Sequence, residues 1–253
     1  MESVSAEHAG AARPAAQRPA IISAVIPCLD EETAIGPVVT AVLAEGVDEV
    51  IVVDGGSRDA SASRAAGAGA RVVMEPRRGY GRAIQTGIAA LRADTAIVVF
   101  LDGDGSDPAE FVRVLVAPIA AGEADFVLGS RVHGRREAGS LSAPQLAAAW
   151  VGSLLLRLTY GARFSDLSPF RAIRREALER LGMCELSYGW NLEMLMRVAA
   201  SALRVREIPV GQRRRLGGQS KVSGNLGASL AAAWVLAVTF LRLAVLLRKE
   251  RKA

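Results

Sequence analysis

The sequence has few of the side chains on which several common kinds of site depend. Its 253 residues include two cysteines, Cys28 and Cys184, and two histidines, His8 and His133. Two cysteines cannot provide a disulfide framework and are typical of a reducing compartment. Two histidines are too few for a histidine-based metal centre, and they leave no arguable Ser-His-Asp triad. The composition therefore excludes a disulfide-stabilised scaffold and a histidine-centred hydrolase.

The glycine-rich signatures of phosphate binding are also missing. No Walker A sequence is present. The GYGRAI segment at Gly79 lacks the third glycine of a dinucleotide fingerprint, and it does not follow the first predicted strand. If the chain binds a nucleotide, carboxylates and a metal ion must hold it in place of a glycine-rich loop.

Charge is distributed unevenly along the chain, whose net charge is +5. From Arg197 onward there are twelve Lys or Arg residues and two Glu residues, a net charge of +10, so the remainder carries −5. A basic end beside an acidic body favours anionic phosphates or a membrane surface as partners. Nucleic acid is disfavoured, because this basic segment contains long apolar runs and lacks interleaved stacking aromatics.

Apolar runs and helical patterns alternate along the middle of the chain. Residues 1–20 lack the apolar region of a signal peptide, and we expect them to form a disordered tail. Strands are predicted at 21–26 (ending before Pro27), 49–53, 71–74, 97–101, 125–128 and 204–209, and helices at 33–44, 57–66, 79–91, 109–120, 146–160, 174–181 and 190–200. This order predicts an α/β fold with a mainly parallel, Rossmann-like sheet that is covered by helices on both sides.

The segment AIVVFLDGDGSDP is the most informative stretch of the sequence. An apolar run that ends at Leu101 reads as a buried strand, and Asp102, Asp104 and Asp107 follow it in a turn. Ligands of open α/β sheets bind at the carboxyl ends of the strands. Carboxylates and small residues at that edge suit a divalent cation that carries phosphate oxygens.

Three other interpretations of this loop differ in how well they fit its residues. A solvated Asp-Gly turn does not explain why three carboxylates crowd together without a counter-ion. An EF-hand that starts at Asp102 would need glycine and glutamate where Asp107 and Arg113 stand. A phosphatase-type aspartate nucleophile also follows a strand, and it remains the alternative enzyme hypothesis; a non-catalytic membrane-binding module is the alternative without chemistry.

Three segments near the carboxyl end bear on membranes and phosphates. Residues 146–160 are apolar nearly all round but too short to span a bilayer, which indicates a buried or interfacial helix. Residues 212–221 (QRRRLGGQSK) form a basic loop of the kind that closes over anions, or else a solvated turn. Residues 226–247 form an apolar helix that contains Arg242 and precedes RKERK. We interpret it as an interfacial helix with a basic anchor; a core helix or an oligomer interface is the alternative.

Seven motifs in order resemble family 2 glycosyltransferases of the GT-A fold, in particular the dolichyl-phosphate mannose synthase-like group. They are IPCLDEE, VIVVDGGSRD, FLDGDGSDP, LGSR, DLSPFRAIRR, YGWNLEM and RLGGQSK, and they fall within residues 21–221. The resemblance implies an inverting transferase that uses Mg²⁺ or Mn²⁺ and a nucleoside-diphosphate sugar, with a polyprenyl phosphate as acceptor at the cytoplasmic face of a membrane. Residues 222–253 would then be the membrane-associated part.

The resemblance also implies roles for individual residues. Asp102 and Asp104 match the D-x-D pair, with Asp104, Ser106 and Asp102 at the metal and with Asp102 and Gly103 also beside the ribose. The nucleoside pocket would include Pro27, Leu29, Glu31, Val53 and Asp54. Arg131 would lie near the sugar and phosphates, and Arg215 and Lys221 would grip the diphosphate.

Two departures from the family pattern affect donor specificity. The acidic residue that commonly follows Asp54 is Gly55 here, and the tyrosine common in the first motif is Leu29. A uridine-diphosphate sugar is therefore at least as well supported as a guanosine-diphosphate sugar.

The acceptor determines whether a general base is needed. A phosphate acceptor is already an anion, whereas a soluble hydroxyl acceptor would need a carboxylate base, for which Glu193 is the candidate. The alternative for Glu193 is an i, i+4 pair with Arg197 on a helix. Asp166 is a second acceptor-side carboxylate or a helix cap.

Overall fold

The computed structural model describes residues 20–217 and 237–248. The strands are β1 (Ile21–Cys28), β2 (Glu49–Asp54), β3 (Arg71–Met74), β4 (Thr95–Phe100), β5 (Phe126–Ser130), β6 (Arg171–Arg174) and β7 (Val205–Pro209). The helices are α1 (Ile35–Ala44), α2 (Ser61–Gly67), α3 (Tyr80–Ala89), α4 (Val112–Ala120), α5 (Ala143–Tyr160), α6 (Arg175–Leu181) and α7 (Trp190–Ala200), with a 3₁₀ turn at Ala109–Phe111 before α4. Residues 237–248 are also helical.

The strands form one seven-stranded sheet in the order β3-β2-β1-β4-β6-β5-β7. Strand β6 lies antiparallel to both β4 and β5, and the other pairings are parallel. The predicted mainly parallel sheet is confirmed, and β7 is an edge strand as expected. Strand β6 was not predicted, because its four residues RAIR follow a loop and carry no alternating pattern.

Alternation along the strands divides the core into two layers. On β1, Val25 faces the layer that contains α3, α5, α6, α7 and helix 237–248. Its neighbours Ala24 and Ile26 face the layer that contains α1, α2 and α4. Because successive strand side chains point to opposite faces, a sheet covered on both sides must be apolar on both, as the buried runs in β1, β2 and β4 are.

Strand β1 extends through Pro27, where the sequence had indicated its end. Pro27 and Cys28 pair with Val53 and Asp54 of β2, whereas the pairing with β4 stops at Val25. A proline lacks the N–H that a second neighbour would need, so it is tolerated where a strand has a partner on one side only.

Of the two apolar helices predicted near the carboxyl end, the structure describes the first completely and the second only in part. Helix α5 begins at a capping box formed by Ser142 and Gln145 and ends at Gly161 in the left-handed conformation. The helix predicted at 226–247 is observed from 237, and positions 226–236 lie outside the described residues. Within residues 20–217 and 237–248, no helix is both long enough and apolar enough to cross a membrane.

Candidate active site

The carboxyl ends of β1, β2 and β4 lie side by side and bring the first three motifs together. The loop after β1 is tied to the loop after β2 by several bonds. Gly55 N donates to Cys28 O (2.8 Å), and Asp30 N donates to Ser57 Oγ (2.9 Å). Glu31 N donates to Ser61 Oγ (2.8 Å). These contacts fix the two loops as one wall of the site.

Asp54 supplies a buried acceptor at the end of β2. Its Oδ1 accepts hydrogen bonds from Gly56 N (2.8 Å) and Ser57 N (2.7 Å). Its Oδ2 is buried and has no hydrogen-bond partner among the residues that the structure describes. Because an unpaired buried oxygen is unfavourable, Asp54 Oδ2 is well placed to accept a hydrogen bond from a ligand.

The Asp-rich loop after β4 is folded by its own carboxylates. Asp107 Oδ2 accepts from Asp102 N (2.9 Å), and Asp104 Oδ1 accepts from Ser106 N (2.8 Å). The Tyr80 hydroxyl donates to Asp102 Oδ1 (3.2 Å). Gly103 lies against β1, and a Cβ there would be 3.2 Å from Pro27 O. The loop therefore packs directly on the end of the first strand.

Burial makes the negative charge of two carboxylates in this loop, Asp102 and Asp107, unfavourable. Desolvation, and then the neighbouring Asp104, raise the pKa of Asp102 to about 7. Burial and the charge of Asp102 raise the pKa of Asp107 well above its ordinary value. Asp107 Oδ1 is buried and has no partner in the described part of the chain. Carboxylates crowded in this way favour a cation.

Arg215 of the basic loop lies across the Asp-rich loop and the β1 loop. One guanidinium nitrogen is 2.9 Å from Asp104 Oδ2, and another is 2.5 Å from Glu31 Oε1. The structure thus brings three of the predicted site residues together, Arg215, Asp104 and Glu31, through contacts that the sequence did not predict. Lys221, the other predicted residue of this loop, lies outside the described residues.

Arg131, at the end of β5, is held by Asp166. The Arg131 guanidinium donates two bonds of 2.8 Å to the carboxylate, and Arg131 N donates a third of 2.9 Å. Burial alone would raise the pKa of Asp166, but these bonds hold it below its ordinary range. Burial alone would lower the pKa of Arg131, but Asp166 raises it above its ordinary value, with smaller contributions from the Asp107 and Asp102 carboxylates. Asp166 is therefore a positioning partner of Arg131, and the structure gives it no role as a helix cap.

Glu193 lies in a structural network that argues against its candidacy as a general base. Its side chain is fully buried, and its carboxylate is 2.9 Å from Arg197 Nε. It also accepts from Cys184 N (3.1 Å) and Glu185 N (2.7 Å). A carboxylate that is enclosed and bonded in this way is not placed to take a proton from an acceptor. The i, i+4 pair with Arg197 is what the structure shows.

The site fits a divalent cation through few protein ligands. No cluster of three or more His, Cys, Asp or Glu side chains able to enclose a metal occurs within the described ranges. A nucleotide-bound Mg²⁺ or Mn²⁺ needs only one or two carboxylates, because phosphate oxygens and water complete its shell. Asp104 meets this need, and the Arg215 guanidinium on its Oδ2 is a stand-in cation. The expected roles of Asp102 and Ser106 at the metal stay predictions.

A basic cavity of about 700 Å³ lies beside this site and was not predicted. Its lining includes three arginines and two carboxylates, with His133 and Gln212 beside them; the charged residues are Arg135, Arg136, Arg213, Glu110 and Glu137. Gln212 is 6% exposed, and its Oε1 has no hydrogen-bond partner among the described residues. The adjacent arginines Arg135 and Arg136, which follow LGSR, are a sign of this cavity that the sequence contains. No pattern in the sequence indicates that they lie near Gln212.

Carboxylates for a cation and arginines for phosphates, gathered at the carboxyl edge of a mainly parallel sheet, define a nucleotide-dependent transferase. Within that class, the chain belongs to glycosyl transferase family 2, whose family model matches residues 23–182. This membership confirms the predicted family and the predicted nucleotide-sugar glycosyltransferase activity.

Similar proteins agree with the fold and the expected cofactor. The chain is 42% identical over 213 residues to an uncharacterized glycosyltransferase, Rv0539, of Mycobacterium tuberculosis, with 83% of this chain and 94% of that one covered. It is 31% identical over 205 residues to a dolichyl-phosphate hexose transferase of Haloferax volcanii, with coverage of 78% and 84%. A crystal structure of glucosyl-3-phosphoglycerate synthase from M. tuberculosis with Mn²⁺, UDP-glucose and phosphoglyceric acid has a TM-score of 0.68 at 27% identity, and covers 89% of this chain and 80% of its own.

Proposed function

We propose that the chain is a metal-dependent inverting glycosyltransferase whose donor is a uridine-diphosphate sugar. The observation that carries this proposal is the guanidinium of Arg215 on Asp104 at the ligand-binding edge of the sheet. It marks a position where a cation is stabilised beside a loop able to hold a nucleotide. The similar solved structure with Mn²⁺ and UDP-glucose supports the same kind of donor.

The base of the donor is read by Asp54. Its unpartnered Oδ2 suits the ring N–H of uracil, which presents one donor between two carbonyl groups. Guanine presents a second donor, its exocyclic amino group, and Gly55 offers no acidic side chain to accept it. Leu29 instead gives the pocket an apolar wall near Gly55. These residues favour uridine.

The diphosphate leaves with its charge neutralised. A divalent cation held by Asp104 supplies Lewis-acid stabilisation of the leaving group. Arg131, fixed by Asp166, and Arg215 and Lys221 of the basic loop add charge-assisted bonds as negative charge develops. Asp102 and Gly103 border the ribose, and Pro27, Glu31 and Val53 shape the nucleoside pocket.

The acceptor that we propose first is a polyprenyl phosphate. A phosphate oxygen attacks without a general base, which agrees with the enclosed position of Glu193. Helix α5 exposes Trp150 (67%) and Leu158 (73%) along one face, and helix 237–248 exposes Leu241 (67%). Apolar faces of this kind, with the terminal RKERK segment, support a peripheral position on the cytoplasmic side of an anionic membrane.

A small phosphorylated hydroxy acid is the second candidate acceptor. The observation that favours it is the basic cavity, where Arg135 and Arg136 could bind anionic groups and Gln212 Oε1 could accept from a hydroxyl, while Arg213 is paired with Glu110. The similar glucosyl-3-phosphoglycerate synthase binds phosphoglyceric acid. A hydroxyl acceptor would require a base other than Glu193.

The donor proposal is tested by thermal shift with UDP, with and without Mn²⁺. We expect Mn²⁺-dependent stabilisation by UDP in the unchanged protein and its loss in Asp104→Ala, because the cation loses its carboxylate. Asp94→Asn, on an exposed pair with Arg92, is the control with the same loss of charge. Undiminished stabilisation in Asp104→Ala would refute the proposed site.

The acceptor is tested with labelled UDP-glucose and two substrates, a polyprenyl phosphate in anionic vesicles and 3-phosphoglycerate. Label in the lipid phase supports the first acceptor and label in the aqueous product supports the second. Arg136→Ala should lower only the aqueous activity. Anomeric coupling constants in the NMR spectrum of the product report stereochemistry, and retention of configuration would overturn the inverting mechanism.

A further inference from the structure

Arg215 is fixed by its own loop and not only by the carboxylates that it contacts. Leu216 N donates to Asp104 O (3.0 Å), and Arg213 N donates to Ser106 O (2.9 Å), so the basic loop pairs along the Asp-rich loop. Leu216 packs on Gly105, where a Cβ would lie 2.7 Å from the leucine side chain. These contacts hold the backbone of the basic loop against the Asp-rich loop, and so bring the Arg215 guanidinium to Asp104.

The two carboxylates that receive Arg215 come from different parts of the sheet edge. Glu31 follows β1 and its side chain is 7% exposed; Asp104 follows β4 and its side chain is 9% exposed. Arg215 itself remains 29% exposed on its side chain. One guanidinium therefore neutralises two nearly buried carboxylates while keeping an open path to solvent.

We infer that Arg215 is a built-in counter-cation that competes with the metal ion for Asp104 and is released by the diphosphate. This inference rests on the proposed function, because it assumes that a metal and a nucleoside diphosphate bind here. A divalent cation on Asp104 would lie within a few ångströms of the guanidinium, and like charges at that distance repel. Metal alone must therefore displace Arg215 from Asp104, with no new partner for the guanidinium.

A nucleoside diphosphate provides the new partner that Arg215 lacks when metal binds alone. Its anionic oxygens offer Arg215 a bidentate partner of the kind that guanidinium groups prefer. Asp104 would then be free to hold the metal, and Arg215 would pair with the diphosphate in place of the lost carboxylate. Metal and nucleotide consequently bind with positive cooperativity, and each raises the affinity for the other by the same factor.

The inference predicts opposite effects of one substitution under two conditions. Arg215→Ala removes the competitor, so Mn²⁺ alone should bind more tightly, on the order of tenfold. The same variant removes a partner of the diphosphate, so Mn²⁺ in the presence of saturating UDP should bind more weakly than in the unchanged protein. A residue with a purely structural role would move both affinities in the same direction.

Free Mn²⁺ measured by electron paramagnetic resonance, with and without UDP, provides the test. Arg214→Ala is the matched control, because Arg214 is the neighbouring arginine and contacts Glu137 and Ala138 instead of the Asp-rich loop. We expect Arg214→Ala to leave both affinities unchanged. Arg215→Lys, which keeps the charge but lacks the planar fork of the guanidinium, should give an intermediate gain without UDP, and it is the variant to use if Arg215→Ala does not fold.

Two results separate this inference from the proposed function. If the unchanged protein binds Mn²⁺ no better with UDP than without it, and UDP itself does not bind, the proposed donor site is wrong. If UDP and Mn²⁺ bind together but removal of Arg215 leaves the affinity for Mn²⁺ alone unchanged or lower, the counter-cation is wrong while the donor site stands.

Discussion

At the scale of single residues, the ion pair with Asp166 fixes the orientation of Arg131, which is the second arginine of the site beside Arg215. Asp166 is fully buried and the Arg131 side chain is 13% exposed. Two parallel bonds from a planar guanidinium fix its orientation as well as its position. Arg131 therefore faces the Asp-rich loop in a single arrangement, and the free energy of unfolding depends on the pair remaining intact.

We predict that Asp166→Asn lowers the free energy of unfolding by about 3–5 kcal/mol, because Arg131 would be left buried without its counter-charge. Urea denaturation measures this change. Asp94→Asn removes the carboxylate of an exposed pair and should cost less than about 1 kcal/mol. The double variant Arg131→Met/Asp166→Leu should regain stability but not transferase activity. Equal costs for Asp166→Asn and Asp94→Asn would contradict the prediction.

Individual site residues could be predicted from the sequence where a motif carries them. Asp54, Asp102 and Asp104 follow recognisable strands, so the edge of the sheet that holds them could be foreseen. The pair of Asp166 with Arg131 joins motifs 35 positions apart, and no local pattern encodes such a contact. The sequence left Glu193 with two roles, and only its burial distinguishes them.

At the scale of elements, helix α3 approaches the sheet unusually closely through a glycine. A Cβ at Gly87 would lie 2.4 Å from Val25 Cγ1 and 2.9 Å from Val53 Cγ2. The helix also carries Tyr80, whose hydroxyl bonds Asp102. The depth at which α3 packs therefore sets the position of a side chain in the site.

We predict that Gly87→Ala destabilises the protein by about 1–3 kcal/mol, because the methyl group must displace α3 from β1 and β2. The gain in helix propensity, about 1 kcal/mol, is too small to offset this. Gly67→Ala is the control: it lies in α2, and a Cβ there meets nothing within 4 Å, so it should be neutral or stabilising. Thermal unfolding distinguishes the two, and equal midpoints would refute the close packing.

The strands β5 and β7 are joined at their beginnings by a second ion pair. Asp125 accepts from Arg204 Nε (3.0 Å) and from an Arg204 terminal nitrogen (2.8 Å). The bond from Arg204 holds the pKa of Asp125 well below its ordinary value. A carboxyl group with a lowered folded-state pKa stabilises the protein above its unfolded pKa, and this contribution is lost as the pH falls.

Asp125→Asn should therefore lower the free energy of unfolding at pH 7, and its difference from the unchanged protein should shrink as the pH falls below about 4. Urea denaturation over a pH series measures it. Asp94→Asn serves as an exposed comparison. A difference that stays constant down to the lowest measurable pH would show that the lowered pKa of Asp125 does not contribute.

At the scale of the whole molecule, the alternation of strands and helices allowed the layered α/β architecture to be predicted. The position at which the strand direction reverses, at β6, could not be predicted. Strand β6 is short and flanked by a loop and a helix, and its assignment depends on two neighbours, β4 and β5, that the local sequence does not reveal. The basic cavity was missed for a similar reason, because its walls come from distant segments.

Membrane binding is the prediction that belongs to the whole surface. Replacing Trp150 and Leu158 by serine should reduce co-sedimentation with anionic liposomes, and rising salt should weaken binding further as basic groups are screened. The control pair Val114→Ser and Met74→Ser removes exposed apolar side chains elsewhere on the protein. Full-length protein that stays in the supernatant at low salt would contradict this prediction and favour the phosphorylated hydroxy acid as acceptor.

The reversed strand has a consequence for the order in which the protein is completed during synthesis. Strands β1 to β4 pair only among themselves until residues 171–174 exist, and β5 has β6 and β7 as its partners. The nascent chain can therefore assemble the wall that contains Asp54 and the Asp-rich loop before the ribosome reaches β6, whereas β5 must wait as an unpaired strand. The half of the site that contains Asp54 and the Asp-rich loop therefore does not depend on β6 for its strand pairing, whereas the half that holds Arg131 does.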